Sequence, residues 1–130
     1  MKQFNREVGA TGEEIAASFL VKKAYRILEK NYSTKFGEID LICSHSTSSG
    51  HEVLCFVEVK LKRGDFFGTP EEMIGTTKLG KVQRMAEFYL MDKPEMAKRY
   101  DSFSIDAVCI VLGENEELER INYYENIGFE

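Results

Sequence analysis

The chain has 130 residues, 43% hydrophobic and 30% charged, which suits one globular domain with a real core and argues against extended disorder. Its longest apolar run, Ala107 to Leu112, is far too short to span a membrane, and Met1 to Glu7 lacks the apolar region of a secretory signal, so a cytoplasmic protein with no membrane partner is expected. The net charge of −5 comes wholly from residues 113–130, with six acidic side chains and one basic; the balanced remainder leaves nucleic acid open as a partner.

Val8, Ile15, Ala16, Phe19 and Leu20 recur at helical spacing and predict an amphipathic helix over about residues 5–23, with Gly9 and Gly12 weakening its first half. Residues 25–31 read as a first strand. Two further runs, Gly37-Glu38-Ile39-Asp40-Leu41-Ile42 and Phe56-Val57-Glu58-Val59-Lys60, carry charge at alternate apolar positions. The polar segment from Ser44 to His51 joins them and reads as a hairpin loop.

In a symmetric antiparallel hairpin, opposed residues have numbers with a constant sum. A sum of 98 centres the turn on Ser49 and sets Asp40 opposite Glu58, Cβ atoms roughly 5 Å apart, with Lys60 on the same face. Two carboxylates that close repel unless a cation lies between them. Oxygen-seeking Mg²⁺ or Mn²⁺ fits that role, and the adjacent ammonium can position water or steady developing negative charge. The plainer alternative is a solvated sheet face with one cross-strand ion pair, worth at most about 1 kcal/mol. The apolar setting of Val53 to Val57 speaks for burial on both faces instead.

Leu61 to Gly68 follows as a basic loop, with Lys62 and Arg63 placed to meet phosphates. Its Phe66 and Phe67 could stack on bases, although packing over the sheet is commoner. Thr69-Pro70-Glu71-Glu72 combines an N-cap threonine, a first-turn proline and a capping-box glutamate, a helix start that Gly75 and Thr76 can renew. Leu79, Val82, Met85, Ala86, Tyr89 and Leu90 carry its apolar stripe, while Lys78, Lys81 and Arg84 are either phosphate contacts or a solvated face. Residues 94–99 add a short helical turn, 103–112 a fourth strand and 118–124 a fifth, an α/β layered fold on a mixed sheet. Cys43, Cys55 and Cys109, odd in number and without a C-x-x-C pair, read as reduced core residues; His45 and His51 read as solvent-exposed. No P-loop, G-x-G-x-x-G or G-x-S-x-G motif is present.

Asp40 followed one strand later by Glu58-Val59-Lys60 resembles the (P)D…(D/E)-x-K signature of restriction-endonuclease-like nucleases, whose core order is α-β-β-β-α-β. Gly12 to Ala16, Arg26 to Leu28, Gly37 to Ile42, Phe56 to Lys60, Lys78, Ala86, Tyr89-Leu90 and Asp106 further resemble the YraN-like family of uncharacterised bacterial proteins. That family is similar in fold to archaeal Holliday-junction resolvases. The resemblance implies a Mg²⁺- or Mn²⁺-dependent endonuclease acting on DNA, branched or structured DNA included. It implies metal held by Glu13, Asp40, Glu58 and the Val59 carbonyl, with Lys60 orienting water; Lys62, Arg63 and Lys78 are the expected nucleic-acid contacts from the clustering of basic residues. The chain departs from the family pattern at Ala24, a usual glycine, and at Ser33 and Ser104, usual arginines. A homodimer is an expectation by analogy. Other readings are a non-catalytic nucleic-acid-binding module of the same fold and a protein-interaction domain using the acidic 113–130 segment.

Overall fold

The computed structural model describes residues 4–64 and 68–128, with side chains described from residue 11 onward. Phe66, Phe67 and the side chain of Val8 therefore lie outside the described residues. Helix α1 (Phe4–Lys22) closes through Ala24, whose backbone is left-handed at φ +71°. Tyr25 N–H donates to the Leu20 carbonyl and Ala24 N–H to the Val21 carbonyl, both at 2.9 Å, the paired bonds of a Schellman end.

Strands β1 (Arg26–Thr34), β2 (Gly37–Ser46), β3 (Glu52–Arg63), β4 (Ser102–Leu112) and β5 (Leu118–Tyr124) form one sheet in that order, parallel only between β3 and β4. The β2–β3 pairs run from Ser46↔Glu52 to Leu41↔Val57, each summing to 98 as the hairpin spacing requires. The chain thus adopts the expected α/β class and the order α-β-β-β-α-β, with the mixed sheet and a fifth strand.

Two expectations about element bounds are corrected. β3 runs on to Arg63, because Leu61, Lys62 and Arg63 pair in register with Ile110, Val111 and Leu112 of β4; the loop begins later than residue 61. The capping box at Thr69 opens only a 3₁₀ turn, Pro70–Met73, and helix α2 (Thr76–Asp92) starts afresh after an extended Ile74 and Gly75. Glu71, in that turn, accepts from Arg120 Nη1 and Nη2 at 2.8 and 3.0 Å and from the Tyr124 hydroxyl at 2.7 Å, which ties the turn to β5 instead of α2. α3 (Pro94–Arg99) then leads into β4.

The sheet is covered on both faces. α1 sets Ala16 and Leu20 against Leu41, Cys43, Cys55, Val57, Val108 and Ile110; α2 sets Val82, Met85, Ala86 and Tyr89 against Ile39, Ile42, Leu54, Phe56 and Ile105. Residues Val53 to Val57 are all buried, and the three cysteines are free and buried. His45 is half-buried rather than exposed, because its ring stacks on Tyr25 at 4.3 Å; His51 is exposed as expected and meets Ser102 Oγ at 3.1 Å.

Asp106, 1% exposed, lies in β4. It accepts from the Ser104 and Tyr123 hydroxyls and from Asn126 N–H at 2.9 Å, so its buried carboxyl is satisfied by neutral donors. Burial, reinforced by Asp106, pushes the Tyr123 phenol far up. This cluster fastens the chain after β5 to the sheet.

Candidate active site

The regular side-chain alternation of β2 breaks at Asp40. Leu41 and Cys43 pack under α1, yet Ile39, of the same parity, packs under α2. The β2–β3 ladder ends at Leu41↔Val57, and beyond it Val59 N–H donates to Asp40 Oδ2 at 2.8 Å. A side-chain oxygen thus serves where a sheet would use a carbonyl, and a cavity of about 410 Å³ opens there.

α1 reaches that cavity because of a glycine. Gly12 is buried, and a Cβ there would meet Leu61 Cδ1 at 3.3 Å and Val59 Cγ1 at 3.8 Å, so a hydrogen lets the helix lie close on β3. The next residue, Glu13, joins Glu38, Asp40, Glu58, Val59 and Lys60 in the lining. α2 contributes Lys78 from its first turn. The structure therefore gathers Glu13, Asp40, Glu58, Val59, Lys60 and Lys78 around one space. Lys62 and Arg63 lie farther along β3, with Arg63 bonded through Nη2 to Glu116 Oε1 at 2.6 Å.

Glu58 is only 3% exposed, and a buried carboxylate is tolerable only with partners. Both partners are lysines on one oxygen: Lys60 Nζ lies 3.3 Å and Lys78 Nζ 2.9 Å from Oε2. The hydrogen bond that Lys78 Nζ donates to Glu58 holds the Lys78 ammonium above its ordinary value. Sequence spacing missed this second ion pair, since nothing in the order of residues says where α2 docks. Asp40 has the opposite environment. Burial first, then the charges of Glu58 and Glu13, push its carboxyl up to about 7 against the opposing Val59 N–H bond and Lys60.

Hard dications such as Mg²⁺ prefer carboxylate oxygen, which Glu13, Asp40 and Glu58 bring to the cavity lining. Among the described residues no three acidic, histidine or cysteine side chains are close enough to chelate unaided. Two carboxylates alone would leave most positions of such an ion to water, as Mg²⁺ prefers. A carboxyl whose proton is held by burial and by neighbouring negative charge is also where a cation is most welcome.

Residues 12–110 match the model of the uncharacterised protein family UPF0102. The chain belongs to that family. A UPF0102 protein of Syntrophomonas wolfei is 38% identical over 122 residues, covering 94% of this chain and 97% of the relative. One from Clostridium novyi is 36% identical over 126 residues, covering 97% and 98%. One from Caldanaerobacter subterraneus is 38% identical over 128 residues, with the same coverage. The YraN-like resemblance is to this UPF0102 family, whose description carries no reaction. The matched span runs from Gly12 into β4 and includes every residue lining the cavity.

Proposed function

We propose that this UPF0102 protein is a phosphodiesterase that cuts DNA, with Mg²⁺ or Mn²⁺ held by Asp40, Glu58 and the Val59 carbonyl and with Glu13 completing the acidic side of the site. The observation that carries the reading is Asp40. Its carboxyl is pushed to about 7 by burial and two other carboxylates, in the lining of a cavity with two ammonium groups at hand. A bound dication supplies positive charge and a polarised water.

The chain's own groups do the rest. Glu58 anchors Lys60, whose ammonium can orient a water or meet charge developing on a phosphate oxygen. Lys78 brings a second ammonium from α2, suited to a phosphate that competes for it with Glu58. The α-β-β-β-α-β order, with an aspartate on the second strand and E-x-K on the third, supports the restriction-endonuclease-like comparison.

One observation favours the non-catalytic binding module: Glu58 is already neutralised by two lysines without a dication. A panel of duplex, single-stranded, flap and four-way-junction DNAs with Mg²⁺ or Mn²⁺ decides. Cleavage of at least one, abolished by chelation, is the expected result. Salt-dependent binding without cleavage makes the chain a binder. Neither binding nor cleavage leaves the protein-interaction reading through the acidic 113–130 segment.

A further inference from the structure

A second cavity, about 310 Å³, lies between the β1–β2 turn and α2, lined mainly by Phe36, Phe88 and Met91 with Lys81, Arg84 and Glu87. Its apolar groups are open to solvent: Phe36 is 66% exposed, Phe88 38% and Met91 79%. The two rings meet edge to face at 6.1 Å, and Lys35 Nζ lies 5.3 Å from the Phe36 centroid. Large apolar groups gathered in the open mark an interaction surface. Here Lys35, Lys81 and Arg84 outweigh Glu87, so the complementary partner is anionic with flat apolar faces.

The elements that build this groove also build the carboxylate cavity. Phe36, in the turn just before β2, precedes Asp40 by four residues, about 13 Å at strand rise. Phe88 follows Lys78 by ten along α2, about 15 Å at helical rise. The two offsets agree, which sets the groove and the cavity about 13–15 Å apart along both elements. We propose that the groove is a stacking platform for an unpaired DNA strand leaving the carboxylate cavity. Bases lie on Phe36 and Phe88, and backbone phosphates on Lys35, Lys81 and Arg84. Aromatic platforms need exposed base faces, which a paired duplex hides. The inference rests on the reading of the cavity as a DNA-cleaving site, but its test needs no cleavage.

Fluorescence anisotropy in chelator, with a labelled oligothymidylate and a blunt duplex, tests it. The double variant Phe36→Ala/Phe88→Ala should bind the single strand at least about 5-fold more weakly, the loss of one base–aromatic stack, and the duplex within about twofold of wild type. Phe36→Tyr/Phe88→Tyr, which keeps both ring faces, should restore single-strand affinity. The proposal is overturned if wild type does not bind the single strand, if the alanine variant binds it unchanged, or if both DNAs weaken equally. It is also overturned if sedimentation shows a wild-type dimer that the alanine variant dissolves, since a second copy then covers the groove. Cleavage by the same protein preparations, assayed separately in Mg²⁺ or Mn²⁺, keeps the two readings apart. A wild type that stacks but never cuts sinks the nuclease alone; one that cuts while the alanine variant binds normally sinks the platform alone.

Discussion

Asp40 binds its proton more tightly in the folded chain than its ordinary value of 3.8 allows. Its ionisation is therefore resisted by the fold, and this residue's contribution to stability falls as pH rises from about 4 to about 7, then levels. Asp40→Asn keeps an acceptor for Val59 N–H and removes the charge. It should raise the melting temperature at about pH 8 by the equivalent of roughly 2–4 kcal/mol, with the gap closing near pH 4. Millimolar Mn²⁺ should lift wild type at pH 8 and shift the variant far less, because a ligand of the folded state stabilises by mass action. Scanning fluorimetry across pH reads both; indifference of wild type to metal contradicts the site. Ala24 offers a test unconnected with chemistry. A side chain in left-handed backbone at a helix end is strained, so Ala24→Gly should stabilise by about 1 kcal/mol, seen as a rise of a few degrees in Tm.

Elements show where sequence suffices and where it does not. The β2–β3 register was legible because a hairpin is local: a short polar turn and one constant sum fix every pair from Leu41 to Ser46. The break at Asp40 was not legible, since the Val59 N–H bond that replaces the ladder depends on the strands parting. The salt bridge from Lys78 to Glu58, and the approach of Phe88 to Phe36, depend on how α2 docks, to which spacing within the helix is blind. The capping box was correctly placed, but its length was decided elsewhere, by Arg120 and Tyr124 of β5 reaching Glu71. Arg120 holds the Glu71 carboxyl well down, at about 2, from an ordinary 4.5. The latch's contribution is therefore full above about pH 4.5 and lost as pH falls through about 2. The pair is partly exposed, which discounts its worth to about 1 kcal/mol. Glu71→Gln should lower Tm modestly at pH 7, and its curve should meet that of wild type in acid; denaturation at the two pH values checks this.

Across the molecule, the acidic charge of residues 113–130 is partly consumed internally, with Glu116 on Arg63. No helix among the described residues is long and apolar enough to cross a membrane. What remains outward is a carboxylate cavity with two lysines at one end of the sheet and a basic aromatic groove beside it. The most direct test of a metal-dependent DNA phosphodiesterase is a paired assay of Asp40→Asn and wild type, with cleavage in Mg²⁺ or Mn²⁺ and DNA affinity in chelator on the same preparations. The expected result is cleavage reduced by about 10³-fold or more, the scale of several kcal/mol of lost transition-state stabilisation, with affinity level or higher because a negative charge near phosphate is gone. Asp40→Asn cutting as fast as wild type would contradict the account.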